Sequence, residues 1–261
     1  MTKDHKTLYD TEHISCDYAA RDYMDPAEKT FIEEFGKKLA DMDMLDMGVG
    51  GGRTTKYFAP LVKSYMGADY AASMISACQK KHGDRYKFIE CDARNMDEIA
   101  DNCFDFILFS YNGIDSFGND DRMRALAEIR RVLRPGGIFF FSSHNLNWDG
   151  LYGLFSLGTK EGSYFSLKKP GKLLNLLKLR YLNKSFSMKR HIKKLRKKRA
   201  GHIYDNSLNG KAGIYYITAK EQIKQLHDAG FNIISTYSRS GIKTNDEEIL
   251  NSGGWIYYLC S

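Results

Sequence analysis

LDMGVGGGRT, residues 45–54, places glycine at 48, 50, 51 and 52, with Val49 the only side chain among them. Glycine at that density weakens any strand or helix interior, so the run marks a turn whose backbone something approaches closely. The preceding MDMLDM (42–47) reads as a short apolar strand, and a helix is expected from about Arg53. In open α/β sheets, ligands bind at such a place, outside the carboxyl ends of the strands.

Working outward, PAEKTFIEEFGKKL (26–39) opens on proline and repeats Phe31, Phe35 and Leu39 at fourfold spacing, an amphipathic helix. KSYMGAD (63–69), YKFIEC (86–91), FDFILFS (104–110) and IFFFSS (138–143) read as strands, with helices over 71–81 and 120–133 between them. On that second helix Met123, Leu126, Ile129 and Val132 point inward. A helix over 218–229 and the strands FNIISTY (231–237) and WIYYLC (255–260) follow. Apolar strands alternating with helices predict an α/β fold: a Rossmann-like, doubly wound, mostly parallel sheet of seven strands covered on both faces.

The glycine run fails two nucleotide-binding patterns. G-x-G-x-x-G counted from Gly48 meets Arg53 at its third glycine, and counted from Gly50 it meets Thr55. G-x-x-x-x-G-K-[ST] is absent. The chain has 261 residues, 43% of them apolar, enough for one α/β domain with an insertion or for two small domains. Its polar start does not read as a signal peptide, and no run of 18 apolar residues predicts a membrane span. The five cysteines (16, 78, 91, 103 and 260) are scattered without a CxxC pair. They read as small buried hydrophobes, with no metal site, no disulfide framework and a cytoplasmic setting.

What the run does fit is acid-x-G-x-G-x-G, carried by Asp46, Gly48, Gly50 and Gly52. Further segments follow in order: GADYAASMI with Asp69, CDARNM with Asp92 and Ala93, FDFILFSYNGIDSF, LRPGGIFFFS and the late YYITAKEQIKQLHDAGF. On these, residues 26–148 and 214–260 resemble the class I S-adenosylmethionine-dependent methyltransferases. The resemblance implies S-adenosyl-L-methionine as cofactor. It implies the backbone of Gly48, Gly50 and Gly52 against the methionine and sugar, and Asp69 on the ribose hydroxyls. Tyr70 and Met74 would flank the adenine, although Met74 also suits plain helix packing. Asp92 would take the adenine amino group and Ala93 N–H the ring. Phe109 and Ser110 would meet the methionine ammonium, and Asp46 would orient the loop or bind that ammonium. Tyr18 and Tyr23 resemble tyrosines that close such sites, or they face solvent.

Candidates for handling the acceptor lie past strands four and five. His144 is a base suited to neutral pH, or else a structural histidine bonded to backbone; Asp115 and Tyr111 come next. The core pattern leaves 149–213 as an insertion between strand five and the last helix, dividing the chain into 1–148, 149–213 and 214–261. From Lys168 to Arg199 it holds fourteen basic residues and no acidic one, against a whole-chain net charge of +7. It reads as a lid attracting a small anionic acceptor such as a sugar phosphate. It also reads as a solvated arm, an RNA-binding element or a contact for an anionic membrane. The expected function is methyl transfer to a small polar, anionic acceptor, on oxygen or nitrogen. An RNA methyltransferase and a non-catalytic cofactor-binding protein are the alternatives.

Overall fold

The computed structural model describes residues 5–156, 170–206 and 210–261. Helices α1 (His5–Tyr9), α2 (Glu12–Ala20) and α3 (Pro26–Leu39) come first. The core then runs β1 (Asp43–Met47), α4 (Thr55–Phe58), β2 (Ser64–Asp69), α5 (Ala72–His82), β3 (Lys87–Glu90), β4 (Phe104–Phe109), α6 (Asn119–Val132) and β5 (Leu133–His144). It continues with α7 (Pro170–Leu182), α8 (Met188–Lys198), β6 (Ala200–Ile203), β7 (Ile214–Ile217), α9 (Ala219–Asp228), β8 (Ile233–Ser238), α10 (Glu247–Asn251) and β9 (Trp255–Cys260).

Seven strands form one sheet in the order β3-β2-β1-β4-β5-β9-β8. Strands β1 to β5 pair in parallel, and β9 runs antiparallel to both β5 and β8. Both faces are buried, as the continuous apolar strands require. Phe106, Leu108 and Phe140 pack on one side with Phe31 of α3 and Ile75 of α5. Ile107, Phe139 and Phe141 pack on the other with Leu126 and Ile129 of α6 and Leu226 of α9. Strand order reverses between β1 and β4, so their carboxyl ends part and leave a crevice above the glycine turn.

The helix after that turn is shorter than its sequence suggests. It spans Thr55–Phe58 and passes into a 3-10 turn, Ala59–Leu61, because Pro60 cannot continue the α-helical ladder. The insertion builds a small core of its own, in which Leu179, Met188, Ile192 and Ile203 meet Leu146, Leu151 and Phe155. Its β6 pairs antiparallel with β7. That ribbon straddles the expected boundary at 213/214: Ile214–Ile217 pairs with β6 of the insertion, and Ile217 O also accepts from Leu146 N–H just past β5. Lys168 and Lys169 lie outside the described residues.

Candidate active site

Three glycines of the turn take left-handed backbone angles, φ of +64° at Gly48, +55° at Gly50 and +75° at Gly52, where a side chain would be strained. Much of the close approach comes from the protein itself. A Cβ on Gly48 would sit 2.5 Å from the Phe109 ring, one on Gly51 2.3 Å from Ala19 N, and one on Gly52 2.7 Å from His82 Nε2. Helix α2 therefore lies backbone to backbone on the turn. Both polar groups of Gly50 are tied down: its N–H donates to Asp69 Oδ2 at 3.0 Å, and the Cys78 thiol donates to its carbonyl at 3.0 Å. Strand β2 and helix α5 thus fix the turn's shape.

Above the turn lies a cavity that opens to solvent. Of the predicted cofactor residues, Asp46, Gly48, Gly50, Asp69, Tyr70, Met74, Ala93, Phe109 and Ser110 line it. Gly52 stands behind the wall, shaping the turn, and Asp92 faces a neighbouring hollow with Lys6, Glu90 and Glu98. Arg94 folds back on Asp92, donating from Nη2 to Oδ2 at 2.6 Å. Burial opposes ionisation of Asp92, but the guanidinium prevails and holds its carboxyl below the usual range. Asp92 is thus engaged by an arginine two residues along, where the sequence reading gave it an adenine amino group.

The cavity floor has two buried carboxylates. Burial pushes the carboxyls of both Asp46 and Asp69 up to about 6, against hydrogen bonds that favour the charge. Asp69 accepts from Gly50 N–H and from Ala71 N–H, each at 3.0 Å and each on a different oxygen. A carboxylate oxygen has two acceptor sites, so each keeps one for a ligand hydroxyl. Asp46 Oδ2 accepts from Thr54 Oγ1 at 2.6 Å and from the Tyr65 hydroxyl at 2.7 Å. Apolar surfaces of Tyr18, Tyr70, Met74 and Phe117 face these acids across the space. Flat apolar walls, carboxylates and a bare backbone turn suit a molecule with a heteroaromatic ring, vicinal hydroxyls and a cationic end.

Tyr9, Tyr18 and Arg21, from the first two helices and the residue after them, close one side of the cavity. The Tyr9 ring meets Tyr18 edge-on at 5.8 Å, and the Arg21 guanidinium lies 3.8 Å over the Tyr18 ring. None of the described cations of the basic insertion lines this cavity. Tyr23 packs at 6.1 Å on Tyr111 without lining the cavity.

Arg53 is also in the wall, and the sequence reading assigned it no role. Its guanidinium donates to Glu28 at 2.7 and 2.5 Å and to Ser110 Oγ at 3.1 Å. Glu28 also accepts from Asp25 N–H at 2.8 Å, so one buried acid caps α3 and braces the turn.

The expected acceptor residues divide. Tyr111 lines the cavity and holds φ +54°, followed by Asn112 at +62°, two left-handed non-glycine residues in a row after β4. Asp115 is fully buried and paired with Arg122 Nη1 at 2.5 Å, so it cannot touch an acceptor as the sequence reading allowed. Its other contacts hold His144, receiving the backbone N–H at 2.6 Å and meeting Nδ1 at 2.7 Å. A carboxylate can only accept, so Nδ1 carries the proton and Nε2 of the neutral ring is left basic. His144 does not line the cavity; its ring packs 4.9 Å from Tyr216 and 6.3 Å from Trp255, which lies 5.8 Å from Tyr111.

Residues 45–141 match the family model described as a methyltransferase domain. Over those residues the chain carries a methyltransferase domain, and it has the fold of S-adenosylmethionine-dependent methyltransferases. It is 31% identical over 103 residues to the malonyl-[acyl-carrier protein] O-methyltransferase of Pectobacterium atrosepticum, covering 39% of this chain and 38% of that one. It is 27% identical over 117 residues to a thiol S-methyltransferase of Homo sapiens, covering 43% and 47%. These alignments thus span less than half the length of either relative. An S-adenosylmethionine-dependent methyltransferase from Mesorhizobium loti shares the fold with a TM-score of 0.61 at 14% identity, over 90% of this chain and 97% of that one. The 1,6-didemethyltoxoflavin-N1-methyltransferase of Burkholderia thailandensis, solved with S-adenosylhomocysteine, does so with a TM-score of 0.57 at 15% identity, over 100% and 90%. The names of these proteins specify oxygen, sulfur and nitrogen acceptors, so the fold does not carry the acceptor with it.

Proposed function

We propose that the protein methylates a small polar acceptor, anionic in character, with His144 as the base that takes the acceptor's proton. The observation that carries this reading is the Asp115–His144 pair at the carboxyl end of β5. When bound, S-adenosylmethionine supplies an activated methyl group on a sulfonium. In this reading Asp69 holds the ribose hydroxyls and the Gly48–Gly52 turn lies along the sugar and methionine. Tyr18, Tyr70 and Met74 enclose the adenine, while Ser110, Asp46 and the Phe109 carbonyl face the ammonium. Asp92 belongs outside this set because Arg94 engages it.

The acceptor would enter beside Tyr111, between the cavity and the Trp255–His144 aromatic group. His144 Nε2 receives the proton of its O–H or N–H, while Asp115 keeps the ring oriented and stabilises the imidazolium that forms. Arg21, at the cavity wall, is paired with Asp17 and stacked on Tyr18, and would have to turn from Asp17 to meet an anionic group on the acceptor.

The test combines calorimetry with labelled methyl transfer. S-adenosylhomocysteine should bind saturably and NAD should not. Label should pass to members of a panel of small hydroxy and amino compounds graded by charge. His144→Ala should lower turnover by about 10²–10⁴-fold with cofactor affinity unchanged. Cofactor binding without transfer to any acceptor would make the protein a binder and not an enzyme. Unchanged turnover in His144→Ala would remove the base.

A further inference from the structure

Beyond the cavity, exposed large apolar side chains gather on one element. Leu173, Leu174, Leu177 and Tyr181 of α7 are 48, 70, 51 and 83% exposed, and Phe186, in the turn before α8, is fully exposed. The same helix buries Leu176 and Leu179, and Asn183 just past its end is buried too. At 100° per residue these fall on one side, and the exposed leucines and tyrosine fall on another. Helix α7 therefore has a second apolar stripe that is left exposed among the described residues. Lys178 and Arg180 flank that stripe.

The surroundings of the stripe are cationic. Lys184, Lys189, Arg190, Lys193, Lys194 and Lys197 follow it, and residues 170–204 contain no Asp or Glu. This charge argues against a second copy of the chain as occupant, because like-charged surfaces repel. A nucleic acid would use the cations but would leave three leucines exposed. Apolar side chains edged by Lys and Arg on one helix face match the layering of a lipid interface, acyl region beneath anionic headgroups. No helix among the described residues is long and apolar enough to cross a bilayer, so such a contact would lie on its surface.

We propose that α7 and the turn at Phe186 dock on an anionic lipid bilayer, with Leu173, Leu174, Leu177, Tyr181 and Phe186 inserted and the α8 cations facing headgroups. This assignment is independent of the acceptor's chemistry.

Full-length protein should sediment with vesicles of mixed phosphatidylglycerol and phosphatidylcholine, and not with phosphatidylcholine alone. Added salt should weaken binding, and Leu174→Ser/Leu177→Ser/Phe186→Ser should weaken it by at least about tenfold with every charge retained. S-adenosylhomocysteine affinity should not change in that variant, which confirms an intact core. Phe186 is fully exposed, so Phe186→Trp gives a second readout that does not burden folding: its emission should shift to the blue on the anionic vesicles. The proposal is overturned by absence of binding to anionic vesicles, by equal binding of the triple variant, or by an unshifted Phe186→Trp spectrum. Tighter binding to an RNA oligonucleotide, indifferent to the triple substitution, would overturn it as well.

Discussion

Two buried arginine–carboxylate pairs flank the carboxyl edge of the sheet, Glu28–Arg53 beside the glycine turn and Asp115–Arg122 beneath β5. The first is closed on itself. Glu28 also takes Asp25 N–H and the Ser110 hydroxyl, and Arg53 donates to Tyr23 O at 3.0 Å. The second is open at one end, because Asp115 passes its remaining capacity to His144, a side chain able to exchange a proton. Buried ion pairs contribute little net stability but are costly to break. One pair therefore fixes the shape of the glycine-turn side, while the other orients His144, the base of the proposed function.

The sharpest way to break this comparison is Arg122→Met. Arg122 is fully buried and also donates to Ile114 O at 3.1 Å, so its loss strands Asp115 without a cation. Denaturant unfolding should show about 3–5 kcal/mol of destabilisation. Arg53→Met should cost less, because Arg53 lines the cavity, where solvent can reach the acid it leaves, whereas Arg122 is fully enclosed; an equal cost would show that the two pairs are finished alike.

Next in size is Asp69→Ala. Two charge-assisted hydrogen bonds to a ligand, worth roughly 1.5–3 kcal/mol each, should disappear and weaken S-adenosylhomocysteine by at least about tenfold in calorimetry. His144→Ala should leave that affinity within twofold, which separates the two sides functionally.

Gly51→Ala tests the cover. Its Cβ would collide with the α2 backbone at Ala19, so α2 should lift. Cofactor affinity should fall by about fivefold while the core's unfolding midpoint changes little, since Tyr18 and Arg21 contribute contact and not the fold.

At neutral pH and above, the smallest effect is that of pH. Asp69 titrates at about 6 in the free protein, raised by burial. If the ionised form binds the ribose, affinity should be flat above pH ~7 and fall by up to tenfold per unit below about 6. The folded carboxyl holds its proton more tightly than the unfolded one, so this group's contribution to stability declines as pH rises from about 4 through 6. Asp69→Asn should flatten the affinity profile; a profile that persists would assign it to Asp46.

The parts of the site legible in the sequence are those fixed by backbone pattern. The glycine turn, Asp69 at the end of a strand and the order of seven strands follow from spacing and hydrophobic runs. What spacing could not reveal is which charged side chains are buried. Arg122 reads as a surface residue, yet it begins the series 122, 125, 126, 129 that forms the inward stripe of α6, a signal that was there to be used. Glu28 stands three residues after Asp25, the signature of a capping box, and its second task on Arg53 depends on a contact 25 residues away. Asp115 looked like an acceptor contact because nothing local marks it as enclosed. Helix α2 is weakly amphipathic, and its role as cover appears only once Ala19 is seen against Gly51.

That contact has a kinetic consequence. A helix seated on the floor turn makes exchange of spent for fresh cofactor depend on an event at the amino-terminal end of the chain. Under the proposed function, the rate of each cycle would have two clocks, one for proton and methyl chemistry at β5 and one for the opening of α2. Substitutions that loosen the helix would shorten cofactor residence and, where departure is the slower clock, raise throughput while lowering affinity.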